Sequence, residues 1–409
     1  MRLRISDVYT LSIVLLVGLS LQADKNLFSA ALQPIKHEFH LTDSQLGAIN
    51  GPAYALLFGI AGIPVARLAE RRGRSRVVAV SVIVWSIFTS ATALATGFLS
   101  LFVSRLLVGV GESGTGPAIQ SLLAARFARG DRAGAMSVMY AGSYLGIFVG
   151  LALGGALVRS FGWRVAFVCL GVLGILIAPL VSLFLEDPPH SSSPMGETIF
   201  DDVVTVLRTP GVLHFLSMFC LMGIATFATT AWAPAFYSRH YGMDVGHAGA
   251  VMGAVIGGGA VIGSLLGGAL VSRLNHWRFF SEAPFVLWTL LLAIPAAIGA
   301  FADIGLVWSL LLLSFSIVLS CLPAGAIYAI LHALVEPRHR AIAAAVATLM
   351  ANLVGGLGPF LVGLISDVAG TQDRDGLQIA LLVINGLYVW AIIHTVGMLR
   401  IYRHKMIAS

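Results

Sequence analysis

The chain has 409 residues, 58% of them hydrophobic and only 11% charged, whereas a soluble domain carries roughly a quarter charged residues. One crossing of a bilayer needs about 20 apolar residues in helix, so this length holds roughly a dozen crossings, leaves no room for a sizeable soluble domain and excludes a water-soluble enzyme. The net charge of +6 raises the possibility of nucleic acid, but the placement of the basic residues fits the rim of a membrane protein instead.

Arg2 and Arg4 precede an apolar run in the manner of a signal peptide. The run continues through Asp24 and Lys25 without a small-residue cleavage site, so it reads as the first span. Apolar windows of membrane length fall near residues 8–33, 44–66, 77–97, 99–127, 133–158 and 164–185. After a polar interval, six more fall near 211–238, 246–271, 282–301, 305–333, 340–366 and 376–400. The expectation is an all-α integral membrane protein of twelve transmembrane helices in two pseudo-symmetric six-helix halves. The first half is 1–185, the second 211–409, and 186–210 is a cytoplasmic linker. That linker opens with Asp187-Pro188-Pro189 and a serine run. It then places Ile199, Phe200, Val203, Val204 and Leu207 at helical spacing, with Glu197, Asp201 and Asp202 on the polar side, which predicts a short amphipathic helix at the cytoplasmic interface.

Eighteen lysines and arginines fall on the amino-terminal side of the connections, from Arg2 through the Arg67–Arg76 cluster to Lys405. Five fall opposite: Lys36, Arg159, Arg164, Arg239 and Arg374. The excess predicts that both termini are cytoplasmic; the expected location is a plasma membrane, the inner one in a bacterium. The halves also repeat. RLAERRGR at 67–74 has a counterpart in LVSRLNHWR at 270–278, and Gly146, Gly150, Gly154 and Gly155 resemble Gly355, Gly358 and Gly363. Cys169, Cys220 and Cys321 are scattered in apolar stretches without metal spacing and read as packing. HEFH at 37–40 lacks the spacing of a zinc protease, and no metal site or cofactor is expected.

Ionisable side chains inside spans are costly and mark function by default. Four lie well inside: Asp24 and Lys25 in the first span, Arg105 and Glu112 in the fourth. Arg105 and Glu112 are two helical turns apart, about 10 Å along one face, which leaves space for a third partner. Asp24 is the natural candidate for it. A carboxylate whose hydration and charged neighbours change as a cavity opens can exchange a proton, and arginine stays charged throughout. Asp24, Glu112 and Arg105 are therefore expected to couple protons, the other possibility being a static ion network that fixes helix packing. Lys25 points about 100° away from Asp24 and either meets an anionic head group or snorkels toward an interface. In the cytoplasmic loop, Glu70 with Arg71 and Arg74 forms a candidate gate, bonding across spans in one state and releasing in the other. Tyr54, Tyr140, Tyr144, Phe227, Trp232, Tyr328 and Asn352 are candidate cavity-lining residues.

The stretch PVARLAERRGRSR at 64–76 is similar to the loop motif of the major facilitator superfamily, with Glu70 in place of the usual aspartate and Arg67 where glycine is common. RLLVGVGE at 105–112 and the glycines from 146 to 155 resemble its fourth- and fifth-span motifs, with Leu151 replacing a proline. More narrowly, Asp24-Lys25 with RLLVGVGES at 105–113, FARGDRAGAMSV at 127–138 and Gly162-Trp163-Arg164 resembles the Spinster family, where arginine is typical at the position of Lys25. The resemblance implies a proton-linked exporter of lysolipids or sphingoid lipids, with Asp24 and Glu112 as coupling carboxylates and Arg105 close by. The expected function is alternating-access transport of an amphiphilic lipid, coupled to protons, by a monomer among membrane lipids and without nucleic acid. The rival within the carrier class is a proton-coupled multidrug exporter. A lipid-modifying enzyme would need a nucleophile and base or a metal cluster, and the sequence offers neither.

Overall fold

The structure, a computed structural model, describes residues 4–128, 131–187, 199–274, 282–370 and 375–408. Of the charges that set the expected orientation, Arg2, Arg129, Arg278 and Arg374 lie outside these residues, as do the side chains of Arg273, Arg403 and Lys405. The proline pair at 188–189, the serine run and Glu197 of the linker lie outside them too, as do the side chains of Ile199 and Phe200.

The described residues form helices throughout. Nine of these are long and apolar enough to cross a membrane: Ile5–Phe39, Arg74–Thr92, Gly134–Phe161, Trp163–Phe184, Val212–Tyr241, Val245–Val271, Leu306–Leu334, Ile342–Ala369 and Gly376–Tyr402. The windows for spans two, four and nine complete the twelve. The second is interrupted, as Asp43–Asn50 and Pro52–Arg72. Pro52 has no N–H to donate, so the helical ladder breaks at Gly51 and restarts with proline in the first turn, where a missing donor costs nothing. Span four is Phe98–Glu112 followed by Thr115–Arg126. Span nine includes a shorter apolar helix, Pro284–Gly299.

Contacts divide the chain into two compact units, Met1–Ser192 with Thr230–Gly258, and Ser193–Thr229 with Gly259–Ser409. One boundary falls in the linker and the other two inside spans seven and eight. In span eight the division follows a six-residue π-helical stretch, Gly253–Gly258. A side chain on Gly257 would meet the backbone nitrogen of Phe148 at 2.7 Å, so the absence of one lets this stretch lie against span five.

Within the first unit, the glycine ladder of span five (Arg132–Phe161) packs against span one. Gly142, Gly146, Gly150 and Gly154 face Leu15, Leu19, Ala23 and Leu27, four residues apart on both helices. Such an interface holds by close backbone contact, since lipid tails give apolar side chains no reason to seek one another. Gly155 turns to the other side and meets Gly249 of span eight. At the start of that span, Asp244 accepts from the N–H groups of His247 and Gly246 and pairs with Arg159 at 3.3 Å. The His247 N–H is the main reason its carboxyl lies below the usual carboxylate range.

The second unit repeats the theme between spans seven and eleven. Gly355 lies against Gly223, and Gly358 against the backbone of Ile224 and Ala228. Span eleven thus packs by glycine on span seven as span five does on span one, in keeping with the expected likeness of spans five and eleven. The linker helix Ile199–Arg208 buries Val206 completely and packs on Arg340–Gly355. Asp202 Oδ1 lies 3.3 Å from Nε2 of the buried His339.

A substitution test follows from the ladder. On Gly150 a Cβ would lie 2.5 Å from the Ala23 carbonyl oxygen and 2.8 Å from its Cα, backbone atoms that cannot swing aside. Gly150→Leu is expected to cost about 1–3 kcal/mol or more through overpacking. On Gly116 a Cβ would meet nothing within 4 Å, so Gly116→Leu should be tolerated. Monodisperse yield and thermal unfolding in detergent check the difference.

Candidate functional site

Spans one, two and four bring five of the sequence-nominated residues together in the first unit. Asp24 and Lys25 come from the middle of Ile5–Phe39, Tyr54 from the first turn of Pro52–Arg72, and Arg105 and Glu112 from Phe98–Glu112. Asp24, Arg105 and Glu112 are buried almost completely, at 2%, 1% and 0% exposure. Lys25 is the exception, with its side chain 26% exposed.

The charges sort into two pairs. Arg105 Nη1 donates to Asp24 Oδ2 at 3.1 Å, and Thr89 of span three donates its hydroxyl to Asp24 Oδ1 at 2.9 Å. The Arg105 guanidinium also sits 5.4 Å from the centre of the Phe28 ring. In the second pair, the Tyr54 hydroxyl donates to Glu112 Oε2 at 2.6 Å, and Lys25 Nζ stands 4.0 Å from the same oxygen. That ammonium lies 4.1 Å from the centre of the Tyr54 ring and 5.5 Å from that of Phe58, distances at which a ring face attracts a cation. The other carboxylate oxygen, Glu112 Oε1, and Arg105 Nε are buried without a hydrogen-bond partner. Unfilled capacity of this kind in an apolar site is a place where a proton, a water or a ligand group finds a partner. Close backbone contact holds span four in position. On Gly109 a Cβ would lie 2.5 Å from the Tyr54 carbonyl oxygen, and on Gly111 2.7 Å from the Trp85 nitrogen.

The other nominated residues are distributed over both units. On span five, Tyr140 is exposed and Tyr144 half-buried. Trp232 is fully buried and offers a ligand no open surface; Arg239 lies over its ring at 5.8 Å. Phe227, Tyr328 and Asn352 belong to the second unit. There Tyr328 meets the Thr348 hydroxyl at 3.2 Å and the Phe219 ring at 5.8 Å, and the Asn352 amide donates to the Thr348 carbonyl.

At the loop between spans two and three, the side chain of Glu70 lies outside the described residues and Arg71 is exposed. Asp187, at the end of span six, occupies the amino end of span three. Its carboxylate accepts from the backbone N–H of Arg74 and of Ser75 at 3.0 Å and from the Ser75 hydroxyl at 2.9 Å. Two of the orphan donors of a helix start, and the positive end of its dipole, are thereby satisfied. The chain reaches this corner through Gly73 at φ +97, a conformation that favours glycine.

On the opposite side, Asp43 is 3% exposed and holds two cations. Arg239 makes a bidentate contact with it at 2.6 and 2.7 Å, and Lys36 lies 2.6 Å away. Arg239 Nε donates to Gln33 at 3.0 Å. The sequence shows these as ordinary rim charges; only Asp43 beside a capping threonine hints at a fixed position.

Twelve helical spans in two repeating sets of six, with buried charge in the first set and, among the described residues, no soluble domain, have the architecture of a membrane transporter. The model of the Major Facilitator Superfamily matches residues 14–359, and the chain belongs to that family of secondary transporters. It is 30% identical to an MFS-type efflux pump of Mycolicibacterium smegmatis over 87% of this chain and 83% of the pump. It is 26% identical to a hexuronate transporter of Bacillus subtilis over 94% and 93% of the two chains. The structure resembles that of a bacterial homologue of the human lysosomal transporter Spinster, in an inward-facing and unoccupied conformation. The TM-score is 0.80 at 25% identity, covering 98% of this chain and 97% of the homologue.

Proposed function

We propose that the protein carries an amphiphilic lipid, a lysophospholipid or a sphingoid-type lipid, by alternating access between the halves 1–185 and 211–409, coupled to protons. One observation carries the reading: among the four charges inside the spans of the first unit, Lys25 alone is partly open, and it stands on the faces of Tyr54 and Phe58. An ammonium backed by aromatic rings suits an anionic head group on an apolar chain. Lysine holds a phosphate as a point charge, whereas the arginine typical of the Spinster family would grip it bidentately. The likeness to the Spinster homologue supports the substrate class.

Proton coupling falls to Asp24 and Glu112. Each carboxylate faces a cation, Arg105 or Lys25, and a hydroxyl donor, Thr89 or Tyr54. Moving the cation or adding substrate alters how well each carboxylate retains its charge. In this reading Glu70, Arg71 and Arg74 act at the cytoplasmic gate, the carrier works as a monomer, and it sits in a plasma membrane with both termini in the cytoplasm.

The 30% identity to the mycobacterial efflux pump favours a second reading, a proton-coupled multidrug exporter. Purified protein in proteoliposomes separates the two. A lysophospholipid and a sphingoid phosphate are expected to accumulate only under an imposed proton gradient, and cationic dyes to compete weakly. Dye transport at rates that lysolipids do not reduce would replace the first reading by the second.

A further inference from the structure

Apart from the charged cluster, the first unit has a crevice of about 330 Å³ between spans two, three and four. Val65 and Leu68 form one wall, Val77, Val80 and Val84 another, and Val110 with Gly111 the floor. Its apolar rims open outward, for Leu68 and Val80 are 46% and 56% exposed. Along span three, Ile83 and Ile87 extend the exposed apolar face. On a membrane protein such a surface meets lipid tails.

One end of the crevice is charged. Arg72 ends span two, Arg76 lies in the first turn of span three, and the Gly73 corner brings them to the same mouth. Both are exposed, and among the described residues neither is joined to a carboxylate. The loop's other anchoring device is already in use, because Asp187 takes the N–H groups of Arg74 and Ser75. Two unmatched guanidinium groups therefore stand above an apolar slot open at the side. Arginine is the cation suited to phosphate oxygens, through paired donors in a planar fork.

We propose that this crevice is a site for a resident anionic phospholipid of the surrounding leaflet. Arg72 and Arg76 hold the head-group phosphate, and an acyl chain lies along Val65, Val77, Val80 and Val84. The occupant is a membrane lipid because the charged mouth continues directly into an apolar slot of acyl-chain character, which a free phosphate would leave empty. The site differs from that of the transported molecule, which the Lys25 cluster would hold. A lipid seated there bridges spans two and three at the loop expected to gate the cytoplasmic side.

The test is lipid retention by the full chain purified from nanodiscs of phosphatidylcholine with a minor fraction of phosphatidylglycerol, read by native mass spectrometry. The wild-type protein is expected to keep at least one phosphatidylglycerol and to discriminate against phosphatidylcholine about tenfold. Arg72→Gln with Arg76→Gln should abolish the preference. Arg208→Gln with Arg338→Gln, which removes the same charge from exposed positions elsewhere, should leave it intact. Val80→Trp, which fills the slot while keeping both arginines, should also lose the bound lipid, and inorganic phosphate should not displace it. Equal retention in the Arg72/Arg76 double variant, displacement by inorganic phosphate, or normal retention with Val80→Trp would overturn the proposal. Size-exclusion profiles identical to wild type show that a loss is not unfolding, and Arg72→Lys with Arg76→Lys, expected to keep part of the preference, checks the same point.

Discussion

Arg105→Gln is expected to cost about 3–5 kcal/mol of stability, the range for breaking a buried ion pair from one side. The guanidinium is 1% exposed and reaches Asp24 Oδ2 at 3.1 Å, so its removal leaves a buried carboxylate with only the Thr89 hydroxyl. Asp24→Asn should be destabilising for the mirror reason, leaving a buried cation against the Phe28 ring. The double variant should recover most of what either single one loses, because it leaves no uncompensated charge buried and its two amides can bond each other. Arg105→Lys should recover less, since the fixed fork is replaced by a compact ammonium that hydrates strongly. Thermal unfolding of the four proteins in detergent, treated as a double-mutant cycle, measures the coupling. Single variants that unfold at the wild-type midpoint would show that Asp24 and Arg105 are not paired in the folded protein.

The charges of this cluster stand out in the sequence because an aspartate, a lysine, an arginine and a glutamate interrupt runs that are otherwise apolar. Their partners do not. Spacing places Arg105 and Glu112 on one face and suggests Asp24 between them. The folded chain instead pairs Asp24 with Arg105 and gives Glu112 to Lys25 and Tyr54. That choice depends on how span one is rotated against spans two and four, a long-range quantity absent from local pattern. Thr89 is invisible for another reason: threonine in a span commonly bonds its own backbone, as Thr92 does with Phe88. The glycine spacing in span five is plain in the sequence, whereas its partners on span one, Leu15, Leu19, Ala23 and Leu27, are ordinary apolar residues. Asp43 and Arg239 are 196 positions apart, and each looks like a routine loop charge until the fold joins them. Asp187 shows the same effect at the loop between spans two and three. Beside two prolines it reads as the start of a linker, yet it caps span three.

Glu112→Gln separates binding from coupling, because glutamine keeps the shape of the side chain and a carbonyl oxygen for the Tyr54 hydroxyl but carries no exchangeable charge. Gradient-driven accumulation of a lysophospholipid in proteoliposomes is expected to fall at least about tenfold, equivalent to about 1.4 kcal/mol of lost coupling. Exchange of labelled for unlabelled lipid without a gradient should persist, since it needs no net proton movement. The same change frees Lys25 from the negative group 4.0 Å away, so affinity for an anionic head group should rise. Lys25→Gln should act oppositely: a hydrogen bond to a charged group contributes about 1.5–3 kcal/mol, and losing one weakens phosphate binding by roughly one to two orders of magnitude. In the double variant the affinity change should follow Lys25 and the loss of coupling should follow Glu112, because the proposed function assigns the head group to one residue and the proton to the other. If Glu112→Gln still accumulates lipid against a gradient at the wild-type rate, the proton travels elsewhere, and Asp24 alone must carry it.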